Sequence, residues 1–162
     1  MSERVFIGLG TNLGERCDNL ARARALLSAK VSIIRQSSIY ATKPWGFLEQ
    51  PDFLNQVVEG KTDLTPTKLL DFLKCVEKKM GRETSFRYGP RLIDLDILLY
   101  GERVVHTKRL DVPHPKLAER AFVLVPLAEI ASEVVHPVEG RTIRNLRDSL
   151  NPTFSEVIRI VC

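Results

Sequence analysis

The spacing of apolar and polar positions changes several times along this chain, and each change predicts an element. Residues 4–9 form a short apolar, β-prone run that ends in Gly8-Leu9-Gly10-Thr11-Asn12-Leu13-Gly14. Beyond it Leu20, Ala23, Leu26 and Leu27 recur at helical spacing, so the start of the chain reads as strand, glycine-rich turn and helix. Residues 31–40 alternate and are β-branched, a second strand with a break near Gln36. Pro44, Gly46 and Pro51 mark residues 42–52 as a loop, and residues 53–61 read as another strand.

Thr65 and Pro66 open a helix as N-cap and first helical residue, and Leu69, Leu70, Leu73, Val76 and Met80 carry it to Gly81. Residues 82–90 are polar and without period, a loop, and residues 92–100 are a strand that turns at Gly101-Glu102. Pro113 and Pro115 mark a further loop, residues 118–129 a helix with Pro126 inside it, and residues 143–150 a last short helix. The order β-α-β-β-α-β predicts an α+β fold, a ferredoxin-like βαββαβ sandwich with additional strands and helices, in one domain over residues 1–162.

Composition adds little until charge is mapped. The chain of 162 residues is 44% hydrophobic and 27% charged, ordinary for a globular protein, and no apolar run is long enough to span a membrane. The N-terminus has no signal-peptide pattern. Cys17, Cys75 and Cys162 are odd in number and lack metal-ligand spacing, so they read as free thiols of a cytoplasmic protein. The net charge is +4, and residues 74–120, with eleven basic and seven acidic side chains, hold the whole excess. A local positive field suits an anionic ligand, nucleic acid or nucleotide, although scattered solvated lysines would give the same count.

The chemistry concentrates in Arg87-Tyr88-Gly89-Pro90-Arg91-Leu92-Ile93-Asp94-Leu95-Asp96-Ile97. On a strand Asp94 and Asp96 share a face, while Leu95, Ile97 and Leu99 take the other. Two carboxylates so placed can clasp a pair of hard cations that handle phosphates, and Arg91 offers a planar donor fork to a phosphate oxygen. A solvent-facing Asp-x-Asp is the plain alternative, but aspartate is disfavoured in strands. Trp45 and Phe47 in the 42–52 loop offer stacking faces, and Asn55 offers a donor and an acceptor to a heterocycle's edge, whereas Phe53 alone suits the core. The glycines fit neither the dinucleotide fingerprint nor the phosphate loop, so they read as a tight turn with Asn12 as a local cap. His114 lies near Arg109 and Arg120, His106 and His136 lack chemical company, and Glu77 reads as solvated.

Taken together, Gly89-Pro90-Arg91-Leu92-Ile93-Asp94-Leu95-Asp96-Ile97 resembles the signature of the 6-hydroxymethyl-7,8-dihydropterin pyrophosphokinases of folate biosynthesis. Residues 8–14, 38–46, 50–55, 110–115 and 120–127 are similar to further motifs of that family in the same order, over nearly the whole chain. The resemblance implies pyrophosphoryl transfer from ATP to the pterin hydroxymethyl group, with release of AMP.

It also implies that Asp94 and Asp96 hold two magnesium ions and that Arg82, Arg91 and Asp96 are catalytic. The pterin would meet Thr42, Pro44, Trp45, Phe53, Asn55, Tyr88 and Phe122. ATP would meet Lys74, Glu77, Arg82, Arg87, Arg91, Ile97, Arg109, Asp111, His114, Pro115 and Arg120. Loops 43–50 and 82–91 would close over the ligands. Tyr88 stands where many members carry Trp, Thr84 where some carry a second arginine, and Asp111 where Thr is frequent. The expected partners are ATP and a reduced pterin, with no nucleic acid or membrane, and a monomer in the cytoplasm. The competing reading is a non-catalytic ferredoxin-like nucleotide- or nucleic-acid-binding module. It has the positive segment in its favour and paired carboxylates, which repel a phosphate backbone, against it.

Overall fold

The computed structural model describes residues 2–43, 49–81, 91–150 and 157–162. Its centre is a strand, β1 (Glu3–Thr11), with neighbours on both edges. The helix that follows it is α1 (Arg16–Leu27). Two strands, β2 (Val31–Gln36) and β3 (Ile39–Thr42), then share one edge of β4 (Phe53–Thr62), β2 beside its second half and β3 beside its first. β4 pairs antiparallel with β1 along its other edge, from Glu3 opposite Thr62 to Thr11 opposite Leu54. The helix α2 (Pro66–Lys79) leads to β5 (Asp94–Tyr100), which closes the far side of β1, again antiparallel.

A two-strand ribbon follows, β6 (Val105–His106) with β7 (Asp111–Val112), and a cis Val112–Pro113 bond leads out of it. The helices α3 (Ala121–Ala131) and α4 (Ile143–Asp148) come next, and β8 (Ile158–Ile160) adds an outer edge beside β3. With β2 and β3 counted as one broken strand, the order β5-β1-β4-β3 is that of the βαββαβ sandwich. The α+β expectation holds, and so does the break near Gln36.

The two faces of the sheet are filled differently. Leu20, Ala23 and Leu27 of α1 and Leu69, Leu73 and Val76 of α2 pack on Val5, Ile7, Leu9, Leu95 and Ile97. The Thr65 hydroxyl accepts the Lys68 N–H, as its N-cap position predicts. On the opposite face Leu124, Leu127 and Leu146 of α3 and α4 cover Phe6, Val57, Leu98 and Leu99. Glu129 of α3 fixes that layer to β3, accepting from the Ser38 N–H and hydroxyl and from the Tyr40 hydroxyl.

Four expectations need correction. Gly8 and Gly10 lie inside β1 rather than in a turn, because β1 runs two residues further than its apolar run. Leu99 does not share a face with Leu95 and Ile97. The register slips between Phe6 and Ile7, Leu98 is the extra residue on β5, and Leu99 turns to the α3 layer. The helix predicted over 118–129 divides into a 3₁₀ turn (Leu117–Glu119) and α3, because Arg120 takes an extended conformation at the cap.

The fourth concerns the cysteines. Cys17 and Cys162 form a disulfide across 145 residues of sequence, and Cys75 is free and exposed. The pairing of β8 with β3 returns the end of the chain to the sheet, a long-range closure that no local spacing signals. Denatured without reductant, the protein should take up one equivalent of an alkylating reagent per chain, at Cys75, and three after reduction. Intact mass would read three at once if the Cys17–Cys162 bond were absent.

Candidate active site

The antiparallel register places a row of polar groups across one end of the sheet. Directly paired residues stand on the same face. Gly10 is paired with Asn55 on β4 and with Asp94 on β5, and Gly8 with Val57 and Asp96. Tyr40 and Thr42 of β3 stand opposite Asn55 and Phe53. Thr42, Phe53, Asn55, Asp94 and Asp96 therefore share the face on which α3 packs, beyond the part that α3 and α4 cover. The Asn55 amide donates to the Thr42 hydroxyl at 2.9 Å, which fixes the plane of the carboxamide. Phe53 is half-buried at the edge of this row, so the core reading of it gives way to a position beside Asn55.

Asn12 holds the two chain segments that frame the row. It is fully buried. Its backbone N–H donates to the Arg91 carbonyl at 2.9 Å, and its Oδ1 accepts the Arg91 N–H at 2.7 Å. Its amide donates to Gln50 Oε1 at 2.7 Å and to the Pro51 carbonyl at 3.1 Å. The sequence marked Asn12 as a local cap, but every side-chain bond it makes spans 38 residues or more. No side chain caps α1 at Glu15, and the Asn19 amide instead ties the helix back to the turn by donating to the Leu13 carbonyl.

The carboxylates of β5 are electrostatically unusual. The Asp96 pKa is pushed up to about 6, first by burial, then by the negative charges of Asp94 and Glu77, with Arg120 and Lys74 opposing. Glu77 is buried rather than solvated: its Oε2 accepts the Leu95 N–H at 2.9 Å, and Lys74 Nζ lies 3.5 Å from its Oε1. The reason is that β5 is an edge strand whose outward N–H needs an acceptor under the end of α2. Among the described residues no group of three or more His, Cys, Asp or Glu side chains is placed to hold a metal on its own. Asp94 and Asp96 offer hard oxygens and surplus negative charge, which fits an ion that completes its shell with water and substrate oxygens.

Beside Asp96 opens a cleft of about 360 Å³ lined by Leu70, Lys74, Leu95, Ile97, Arg109, Leu110, Asp111, His114 and Pro115. It brings together most of the positions that sequence resemblance assigns to a nucleotide. Arg109 pairs with Asp71, and Asp111 pairs with His106, which therefore has the company that its sequence context lacks. His114 Nδ1 accepts the Lys116 N–H at 3.1 Å, so the neutral ring carries its proton on Nε2. Burial lowers the His114 pKa, with the charge of Arg120 acting the same way and Asp94 and Asp111 opposing. Arg120 caps α3 and lies over the Phe122 ring, 5.4 Å from its centroid. A second cleft of equal volume, at Arg4, Arg35 and residues 130–134, lies apart from these groups, and Arg35 there is bonded to the Ile130 carbonyl. Pro44, Trp45, Arg82, Arg87 and Tyr88 fall outside the described residues.

Comparison with known proteins adds independent findings. Residues 6–132 match the family model described as 7,8-dihydro-6-hydroxymethylpterin-pyrophosphokinase, HPPK. A protein of Aquifex aeolicus named 2-amino-4-hydroxy-6-hydroxymethyldihydropteridine pyrophosphokinase is 43% identical over 143 residues, 88% of this chain and 89% of its own. A Bacillus subtilis protein of the same name is 46% identical over 136 residues, 83% of this chain and 81% of its own. The crystal structure of Plasmodium falciparum HPPK-DHPS with pteroate has a TM-score of 0.75 at 17% identity, over 91% of this chain and 42% of that one. At that identity the likeness is one of fold.

The raised Asp96 pKa has a consequence for stability. In the metal-free protein the folded state holds this proton more tightly than the unfolded chain does. Its contribution is fully present below about pH 4 and is lost as pH rises through about 6. Asp96→Asn removes the charge, so at pH 7.5 in EDTA it should stabilise the fold by about 2 kcal/mol, a gain that fades towards pH 4. Urea denaturation at both pH values checks this, and a gain independent of pH would contradict it.

Proposed function

This chain belongs to the 7,8-dihydro-6-hydroxymethylpterin pyrophosphokinase family, and on that premise we infer how its residues share the work. The reaction is pyrophosphoryl transfer from ATP to hydroxymethyldihydropterin in folate synthesis. The pterin hydroxymethyl oxygen attacks the β-phosphorus, the bond from that phosphorus to the α-side bridging oxygen breaks, and AMP leaves while the hydroxyl proton is released. The protein's part in such a transfer is positioning and charge stabilisation.

The observation that carries this reading is the row on the sheet face, with Asn55 and Phe53 at one end and Asp94 and Asp96 at the other. The pterin is taken up at Thr42, Phe53, Asn55 and Phe122, with Pro44, Trp45 and Tyr88 as further contacts. ATP occupies the cleft at Lys74, Ile97, Arg109, Asp111, His114 and Pro115, where Asp111 contributes through its backbone because its carboxylate is engaged by His106. Its phosphates run towards Asp96 and meet Arg82, Arg87, Arg91 and Arg120. Glu77 acts from below, by holding the Leu95 N–H between the two aspartates.

Asp94 and Asp96 would hold magnesium, two ions taken up with ATP, which when bound would supply positive charge against the phosphates. His114, neutral at physiological pH, offers its Nε2 proton to a phosphate oxygen. The chain works as a single domain and a monomer in the cytoplasm, where ATP and a reduced pterin are at hand. No helix of the described residues is long and apolar enough to cross a membrane. Family membership does not favour the non-catalytic binding module.

Incubated with magnesium, ATP and 6-hydroxymethyl-7,8-dihydropterin, the protein should form AMP with no ADP. The Asp96→Ala variant should lose at least about 100-fold in kcat, and chelation of magnesium should stop turnover. AMP formation no faster than that variant, or ADP as product, would sink the reading. Arg91→Ala should weaken magnesium-dependent ATP binding by titration calorimetry, and equal affinity without metal would remove the assigned roles.

A further inference from the structure

The strand β8 is the outermost of the sheet and has little of its own to hold it there. It is three residues long, Ile158–Ile160, and pairs with Ile39, Tyr40 and Ala41 of β3. Among the described residues only Ile160 of β8 packs on a core, while Ile158 is 61% exposed and Arg159 is exposed. A strand this short, at a sheet edge and with so little apolar burial, belongs to the part of a fold that opens locally at low cost. The bond from Cys162 to Cys17 is therefore the main tie between β8 and the rest of the molecule.

Both ends of that bond lead to the same half of the site. Ile158 pairs with Ala41, and the next residue of β3 is Thr42, whose hydroxyl accepts the Asn55 amide. Cys17 lies in the first turn of α1 beside Arg16, whose guanidinium donates to the Asp52 carbonyl at 2.8 Å. Asp52 immediately precedes Phe53, the first residue of β4. The disulfide thus braces, from two sides, the strands that carry Thr42, Phe53 and Asn55. The nucleotide cleft lies against β5 at the opposite edge of the sheet, with β1 and β4 between it and β3.

The bond is also open to exchange. Cys162 is exposed and Cys17 is half-buried against the core, so a reductant reaches the Cys162 sulfur first. The thiolate of a dithiol attacks Cys162 Sγ, the S–S bond breaks, and Cys17 leaves as a thiolate that takes up a proton. The second thiol of the reductant then displaces Cys162, so two electrons pass to the protein and the dithiol ends as its own disulfide. Where thiol pools keep a compartment reduced, lasting disulfides are rare and those that form are usually transient.

We propose that Cys17–Cys162 is a redox latch on the pterin half of the site, closed by oxidation and opened by dithiols, which sets the uptake of the heterocyclic alcohol and leaves that of ATP unchanged. The inference rests on the reading of Thr42, Phe53 and Asn55 as the pterin end of the row. With the latch open, β8 loses its tie, β3 becomes the edge strand, and the Thr42–Asn55 bond loses its outer support. Apparent affinity falls with the fraction of molecules that keep the braced geometry. A fraction between about a third and a tenth weakens pterin uptake about 3- to 10-fold. A disulfide that served stability alone would change melting and neither Michaelis constant.

The test uses the Cys75→Ser protein, which has no free thiol to exchange with the disulfide. Its oxidised form, its dithiol-reduced form and the further variant Cys162→Ser are compared by steady-state AMP formation, without thiol and under argon to spare the reduced pterin. Reduction should raise the Michaelis constant for the pterin about 3- to 10-fold, leave that for ATP alone, and be reversed by reoxidation. Cys162→Ser should match the reduced form and no longer respond to dithiols, and the reduced form gives the same comparison without a substitution at the latch. The Tm should fall by roughly 5–15 °C on reduction. Hydrogen exchange should show β8 and β3 losing protection while β1 keeps it. An unchanged pterin constant, an equal rise for ATP, or full protection of β8 after reduction would overturn the proposal and leave the activity itself standing. A protein that forms no AMP in either redox state would overturn the underlying reading, and the proposal with it.

Discussion

A single buried carboxamide, that of Asn12, sets the frame on which the site depends. It closes a two-way backbone clasp with Arg91 and donates both amide hydrogens to Gln50 and Pro51. All of its hydrogen-bonding groups are thus used on chain segments far apart in sequence. Each such bond contributes on the order of 1 kcal/mol net, and leaving one buried partner unmet costs more than the bond gives. The end of β1, the approach to β5 and the approach to β4 are held in one geometry as a result. The Oγ of Thr11, which accepts from Asn19 and donates to the Leu92 carbonyl, reinforces the same junction.

Upon that frame the sheet separates stability from chemistry by face and by end. One face is wholly given to α1 and α2. On the other, α3 and α4 pack on Phe6, Val57 and Leu98, and Asn55, Asp94 and Asp96 lie further along the same face. The extra residue at Leu98 serves this division, since it turns both Leu98 and Leu99 towards α3 while Tyr100 returns to the first core. The bulge lets one short edge strand carry two acidic site residues and still anchor both cores.

Electrostatics then fixes what that end can accept. Asp94, Asp96 and Glu77 place negative charge along β5, Lys74 and Arg120 oppose it, and burial together with the neighbouring carboxylates raises the Asp96 pKa. A cation resolves that excess, and an anion brought by the cation meets the basic side chains around it. Net charge alone pointed to some anionic partner. The local arrangement is narrower: carboxylates at the centre with positive charge around them suit a metal-bound polyphosphate better than a bare nucleic-acid backbone.

Much of this protein was legible along the chain. The alternation of 31–40 and its break near Gln36, the Thr65-Pro66 helix start and the shared face of Asp94 and Asp96 all follow from local periodicity and capping. So did the family, because its motifs are local strings. The features that local spacing does not carry depend on distant partners. Along the chain Asn12 reads as a cap, because its acceptors and donors lie 38 to 79 residues away. Glu77 reads as solvated, because its acceptor role exists only where α2 passes under an edge strand. Cys17 and Cys162 met only through the return of β8. Local chemistry determines which elements form and which residue types are available. Register and layer packing, which join residues remote in sequence, decide which of them stand together.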